Sequence, residues 1–427
     1  MANTHILLTP TVIAKEALRL LKNNLVMGSR VYRGYEEEFP GAPKKGGTMR
    51  IRKPVKFTVT KARTRTTSNI KEMYITVTVA TQAHVSWQFY MSDLTLSIEE
   101  YSERYIRPAA AKLANTIDAD LCGLYTDVYN VVWESTGFAN PSTFMVLGKA
   151  MQRLDEEAGP PEDRCVVFNP AGHWAMANAL AALSIPNIPE KAITKGYLGT
   201  IAGADIYMDQ NIKSHTVGAF HESSAWTSII QMGSGGTGIP ASATVGDTGT
   251  KSMIMVGFRA TDGSKTLRTG DWFQINGVYA VNPMSGESTG TFRQFVVTAD
   301  ASLANTSVGA PMTVAFEPNF IDTGPYKTVD TVPASGAVVY FWQKPESQIP
   351  QNLAFHKNAF ALIMVPLEMP DSTWGSTVSE DGYSCRILKA YDIDQDEEAV
   401  RLDVFYGTKT IYPELAVRIA GATQGGV

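Results

Sequence analysis

The sequence predicts an α+β protein in which a small antiparallel β domain interrupts a host of helices and longer strands. Three observations carry this. A strongly basic stretch alternates apolar and polar residues, a helical repeat runs from Ser92 to Val132, and six short β runs recur between residues 222 and 345. The 427 residues are 44% apolar and 19% charged, enough for a packed core and too apolar for a disordered chain. The 35 Gly and 22 Pro, with many Ser and Thr, speak against a helical bundle. At roughly 150 residues per domain, the length makes two or three domains or one elaborated one.

A formal net charge of −5 excludes a globally basic nucleic-acid binder. No run of about 18 apolar residues exists, so no transmembrane helix and no membrane partner are expected. Residues Met1 to Thr9 carry no Lys or Arg before their short apolar stretch and no cleavage pattern after it, which argues against a signal peptide. The three cysteines, Cys122, Cys165 and Cys385, are far apart and odd in number. They read as reduced cytosolic thiols rather than a disulfide framework.

Thr9-Pro10 reads as an N-cap with Pro at the first helical position. Ile13, Ala17, Leu20, Leu21 and Leu25 then predict a short amphipathic helix ending near Gly28. From Phe39 to Lys71 there are ten basic residues and no acidic one, which leaves −15 on the remaining residues of the chain. Met49, Ile51, Val55, Phe57 and Val59 alternate with Arg50, Arg52, Lys56 and Thr58, a strand period. Met73, Ile75, Val77 and Val79 form the face of a second strand, so the segment reads as a long β-hairpin with a basic tip from Lys61 to Ile70. Nothing adjacent in sequence covers its apolar face.

Ser97 with Glu100 makes a capping box at the start of the long helical candidate. Leu113, Ile117, Leu121, Leu124 and Val128 continue its apolar stripe, and Pro108 predicts a kink or restart. Some 40 helical residues would span on the order of 60 Å, more than a compact domain of this size. Such a helix beside a long hairpin suggests a subunit completed by its neighbours. Helices are then expected at Met145–Glu157 and His173–Leu183, a buried strand at Arg164–Phe168, and a turn and strand at Gly199–Met208. The six short runs are Trp226–Met232, Ser252–Phe258, Trp272–Val281, Thr291–Ala299, Met312–Phe316 and Val338–Gln343. Their turn-punctuated spacing predicts a small antiparallel barrel or sandwich. The strands Ser384–Tyr391 and Ala399–Thr408 flank an acidic turn, Asp392–Glu398.

Motifs with chemistry are weak. Gly286-Glu287-Ser288-Thr289-Gly290 matches the nucleophile elbow of serine hydrolases, but a strand rather than a helix is expected after it. Gly233 to Gly238 matches a dinucleotide fingerprint without the helix that would follow it, so a loop is preferred. Asp392, Asp394, Asp396 and Asp403 imitate an EF-hand loop, but Glu397 stands where Gly is needed. A solvated turn is the main reading there and a weak Ca²⁺ contact the alternative. The six histidines do not cluster and read as structural, with His84 in or after the second hairpin strand and His173 and His356 starting apolar helices. No catalytic residue, cofactor site or metal site is predicted. The basic hairpin is the one signal above background. Its aromatic content is low, Phe57 being alone between residues 40 and 70, so docking on an acidic protein surface fits better than single-stranded nucleic acid. Self-association is the economical form of that docking.

Five segments, in order, resemble a known family: ERYIRPAAAKLANTIDADL (103–121), VVFNPAGHWAMANAL (166–180), LGTIAGADIYMDQNI (198–212), NLAFHKNAFALIMVP (352–366) and RLDVFYGTKTIYPELAVRI (401–419). They resemble the major capsid (coat) protein of tailed double-stranded DNA phages, of the Hong Kong 97-type fold. The nearest type is the coat protein of Salmonella short-tailed phages with its inserted β-barrel domain. The resemblance implies an N-terminal arm (1–38), an extended loop (39–82), a peripheral domain with a spine helix (83–139), an axial domain in two pieces (140–221 and 346–427) and an inserted barrel (222–345). It implies a non-enzymatic subunit that assembles as hexamers and pentamers into an icosahedral shell around double-stranded DNA. Scaffolding and portal proteins would be its partners. It would assemble in the host bacterial cytoplasm, reside in the virion, and not be processed by proteolysis; the start at Met1 without a long charged helical segment agrees. No cofactor is implied. The expected inter-subunit residues of the extended loop are Lys44, Lys45, Arg50, Arg52, Lys61, Arg63 and Arg65. The rival readings are a tail or decoration component, or a serine hydrolase using Ser288.

Overall fold

Pro10 opens an α-helix, Pro10–Asn24, that buries Ile13, Ala14, Ala17, Leu18 and Leu21 along one stripe. The computed structural model of the protein describes residues 10–34, 47–57, 59, 61–64, 72–90, 102–134, 140–181, 198–219, 230–232, 251–256, 265–303, 311–334, 336–370, 374–392 and 397–420. These form two units. One comprises Met1–Ile51, Ile75–Cys122 and Phe360–Ile411, and the other Arg52–Tyr74, Gly123–Ala359 and Tyr412–Val427.

In the first unit the N-terminal helix lies on the strands Trp374–Glu380 and Tyr383–Asp392. These continue an antiparallel sheet through Glu397–Thr410 to Phe360–Met364, and Thr81–Tyr90 pairs along Glu397–Tyr406. His84 therefore sits in a strand of this sheet and not in the basic hairpin, opposite Asp403. Gly407 stands where the chain passes the hairpin base, and a side chain there would meet the Thr78 carbonyl oxygen at 2.5 Å.

Within the described residues the long helical candidate is composite, and it ends at Asp127 rather than Val132. A π-helical turn, Ser102–Ile106, precedes an α-helix, Arg107–Gly123, and a 3₁₀ turn, Leu124–Asp127, ends it. Pro108 is the second residue of the α-helix, so the restart falls where its missing N–H is tolerated. The capping-box residues Ser97 and Glu100 lie outside the described residues. The tighter last turn rotates the stripe, burying Tyr125 and leaving Leu124 half-buried.

In the second unit a sheet runs in the order Val131–Val132, Ala416–Ala420, Gln348–His356, Arg164–Phe168, Ala204–Met208, Thr200–Ile201, with Ser214–Thr216 also paired to Gln348–His356. The helices Phe144–Glu156 and Pro170–Ala181 supply its core partners Val146, Leu147, Ala150, Met176 and Leu180. His356 ends a strand and does not start a helix. The runs Gln348–His356 and Phe360–Met364 are buried on both faces, so no alternation marks either as a strand.

Six strands, Ile230–Met232, Ser252–Val256, Trp272–Val281, Ser288–Val297, Met312–Glu317 and Val338–Tyr340, close into an antiparallel barrel. Closure leaves no open edge and resolves the barrel-or-sandwich choice. Aromatic rings fill the interior. Phe295 meets Phe320 at 5.0 Å edge-on, and Phe316 meets Phe320 at 4.9 Å. A separate ribbon pairs Lys265–Leu267 with Ala301–Leu303, which the sequence patterning had not marked.

Candidate inter-subunit contact segment

The basic hairpin pairs Thr48–Arg52 with Tyr74–Thr78. Alternation works as predicted at its base: Ile51 and Val77 are buried, while Arg50 and Arg52 are exposed. The first strand, however, stops at Arg52 instead of reaching Val59. Pro54 has no N–H to give a ladder, so the pairing ends just before it. Lys53 makes the last backbone link, its N–H donating to the Met73 carbonyl at 2.8 Å.

Beyond that point two tyrosines hold the chain. The Lys53 ammonium lies 4.9 Å from the centre of the Tyr412 ring. The Lys56 N–H donates to the Tyr326 hydroxyl at 3.2 Å, and the Lys56 ammonium lies 5.9 Å from the same ring. No period or motif marks Tyr326 or Tyr412, because these contacts join residues hundreds of positions apart. Further out, Phe57 is 66% and Val59 90% exposed, so this end of the apolar face is open to solvent. Lys61 and Arg63 are exposed. Arg52 pairs with Glu72 at 3.4 Å, and both side chains are mostly in solvent. Such a pair contributes about 0–1 kcal/mol. Lys44, Lys45 and Arg65 lie outside the described residues.

Of the competing motifs, only the run Gly286–Gly290 lies wholly within the described residues. Gly286 N–H donates to the Asn282 carbonyl at 2.9 Å and Asn282 N–H to the Glu287 carbonyl at 3.0 Å, which closes a hairpin turn. Ser288 begins the strand after that turn, so the strand-to-helix elbow a nucleophilic serine needs is not built. Residues 233–238 lie outside the described residues, as do Asp394 and Asp396. Asp403 is fully buried and held by Arg386 at 2.7 Å and Arg401 at 2.6 Å. Its carboxylate is engaged by these two guanidinium groups. Among the described residues no group of three His, Cys, Asp or Glu could hold a metal ion, and no helix is long and apolar enough to cross a membrane.

The described residues thus form a sheet-based α+β chain with a closed barrel and an exposed basic hairpin. Residues 1–421 match the family described as P22 coat protein, gene protein 5, and the chain belongs to that family. It is a major capsid protein and forms the icosahedral shell of the virion. Solved structures similar to it include a Mycobacterium phage Che8 chain, with 14% identity, a TM-score of 0.46, and 94% of this chain and 92% of that one covered. Another is from the capsid of Cyanophage P-SCSP1u, with 10% identity, a TM-score of 0.45, and 89% and 85% covered. A third is from the capsid of Ralstonia phage GP4, with 10% identity, a TM-score of 0.40, and 90% and 86% covered. A search of curated proteins finds no match.

Proposed function

We propose that the subunit assembles as hexamers and pentamers around double-stranded DNA, and that its basic hairpin lies on an acidic surface of a neighbouring copy. Scaffolding and portal proteins are its assembly partners, assembly takes place in the host bacterial cytoplasm, and the chain performs no catalysis. The observation that carries the hairpin's role is its charge and exposure together. Ten basic residues and no acidic one occupy positions 39–71 of a chain whose other residues sum to −15. Arg50, Arg52, Lys61 and Arg63 point into solvent, and the apolar Phe57 and Val59 extend bare beside them. A second copy offers both the complementary charge and the apolar cover.

The test is an Arg63→Glu/Arg65→Glu double variant, followed by sedimentation with and without scaffolding protein. The subunit should fold normally and fail to form shells. Normal empty shells, with only DNA packaging impaired, would instead assign the hairpin to the genome and overturn the inter-subunit role.

A further inference from the structure

The barrel joins its host through buried polar groups as well as apolar ones. The apolar part is continuous: Val131, Val217, Ile349 and Ala420 of the host belong to the same core as Trp272, Phe273 and Phe295 of the barrel. Apolar contact is non-directional and permits sliding. The polar part does not. Gln294 on the barrel strand Ser288–Val297 brackets Val131, accepting from its N–H at 2.7 Å and donating to its carbonyl at 2.6 Å. The neighbouring Arg293 donates to Glu157, just past the host helix Phe144–Glu156, at 2.5 Å. Both side chains of this pair are about 95% buried or more. The Arg293 guanidinium also stacks 4.7 Å over the Tyr129 ring.

A second cluster lies at the start of the strand Trp272–Val281. Asp271, fully buried, accepts from His215 Nε2 at 2.8 Å, from the Arg268 N–H at 2.7 Å and from the Gly218 N–H at 3.2 Å. His215 Nδ1 meets the Tyr125 hydroxyl at 3.0 Å. Arg418, fully buried on a host strand, donates to the Gly270 carbonyl at 2.7 Å. Gly218 must be bare here, since a Cβ would meet the Thr266 carbonyl oxygen at 2.3 Å.

We infer that this buried polar seam is the orienting device of the barrel, with Glu157, Arg293, Gln294, His215 and Asp271 as positioning residues that fix its angle and register on the host sheet. A buried ion pair adds little stability over well-packed apolar side chains of the same size, but separating its partners inside the protein is costly, so arrangements that part Arg293 from Glu157 are disfavoured. Copies of one chain that share a shell must meet their neighbours through closely related surfaces. A barrel that slid on its apolar seal would break that requirement without unfolding.

The experiment separates orientation from stability. In the full chain, Glu157→Leu/Arg293→Met replaces the ion pair by apolar side chains of similar size. Hydrogen exchange is read on unassembled subunits, so the result does not depend on how the shell is built. The melting temperature should stay within about 3 °C, since such replacements are near neutral. Exchange at the seam amides of Val131, Gly218 and Arg268 should rise about tenfold or more, while ladder amides within Trp272–Val281 and Gln348–His356 keep their protection. Seam amides as protected as in the native chain would overturn the inference. So would a uniform loss across barrel and sheet, which would mark the pair as ordinary core. Should the double variant not fold, Tyr125→Phe removes one hydroxyl from the second cluster and is read the same way at Gly218 and Arg268, with the same two overturning results.

Discussion

The Gly28 N–H donates to Asp118 Oδ1 at 2.8 Å, across 90 residues of sequence. The other oxygen of the same carboxylate accepts from Val26 N–H, also at 2.8 Å. Asp118 is buried on the inner face of the helix Arg107–Gly123, so the turn after the N-terminal helix is pinned to it by charge-assisted bonds. Asp118→Ala leaves two donors without this acceptor and should cost about 2–4 kcal/mol. Asp118→Asn keeps one acceptor and should cost roughly half that. Urea unfolding measures both, and amide exchange at Val26 and Gly28 should accelerate first. An unchanged midpoint for Asp118→Ala would show that the turn is held otherwise.

Burial pushes the Cys385 thiol up to about 12. Its folded value thus lies above its unfolded one, and the folded state holds the proton longer. Stability from this group is fully present below about pH 9 and is lost as the pH rises toward 12, at up to about 1.4 kcal/mol per pH unit. A Cys385→Ala variant should lack that part of the alkaline slope. Since all three free cysteines are buried, a thiol reagent at pH 8 should label none of them until the subunit unfolds. Labelling of Cys385 in the native subunit would contradict this.

Local pattern made much of this fold readable. The strand Arg164–Phe168 is found as the sequence predicts, and the helix Phe144–Glu156 differs by one residue at each end. In both, a short apolar period is bounded by turn residues, so neighbours in sequence decide the structure. In the hairpin one residue outweighs the period, since Pro54 ends a strand whose apolar alternation continues to Val59. The run through His356 is a strand and not a helix start, and burial on both faces erases the periodicity that would show it. The seam was invisible for another reason. Arg293 and Glu157 are 136 residues apart and His215 and Asp271 are 56 apart, so no local rule relates them. Each reads alone as an ordinary charged or polar residue, and only the tertiary fold makes them partners.

Residues 222–345, cut out as a fragment, should fold alone. About 120 residues suffice for an independent core. Trp272, Phe273, Phe295, Phe316 and Phe320, all fully buried, come from the fragment itself. The fragment loses the cover of Val131, Val217 and Ala420, but Arg293 and Gln294 then meet water instead of a buried surface. A cooperative melt with a β-type circular dichroism spectrum is expected, at a lower temperature than in the full chain. Random-coil NMR shifts would refute it.

Salt should weaken shell assembly before it touches the subunit. Arg50 and Arg52 are on the exposed face of the hairpin, and Lys61 and Arg63 are exposed further along it. On the proposed docking, pairs between such groups and a neighbouring copy would stay close to solvent, each contributing about 0–1 kcal/mol. The Debye length falls from about 8 Å at physiological ionic strength to about 3 Å at 1 M, so these terms fade together. A shell repeats the contact at every subunit, and a small loss per contact becomes a large loss of assembly. The ion pairs inside the fold are screened less, because Arg293–Glu157 and the Asp403 cluster are buried. Light scattering of assembly should therefore fall steeply between about 0.1 and 1 M NaCl, while the thermal melt of the unassembled subunit shifts little. Arg52→Glu should shift the scattering curve to lower salt, and Phe57→Ser should reduce assembly at every salt concentration, since apolar contact is not screened. Equal salt curves for the native chain and Arg52→Glu would remove Arg52 from the contact.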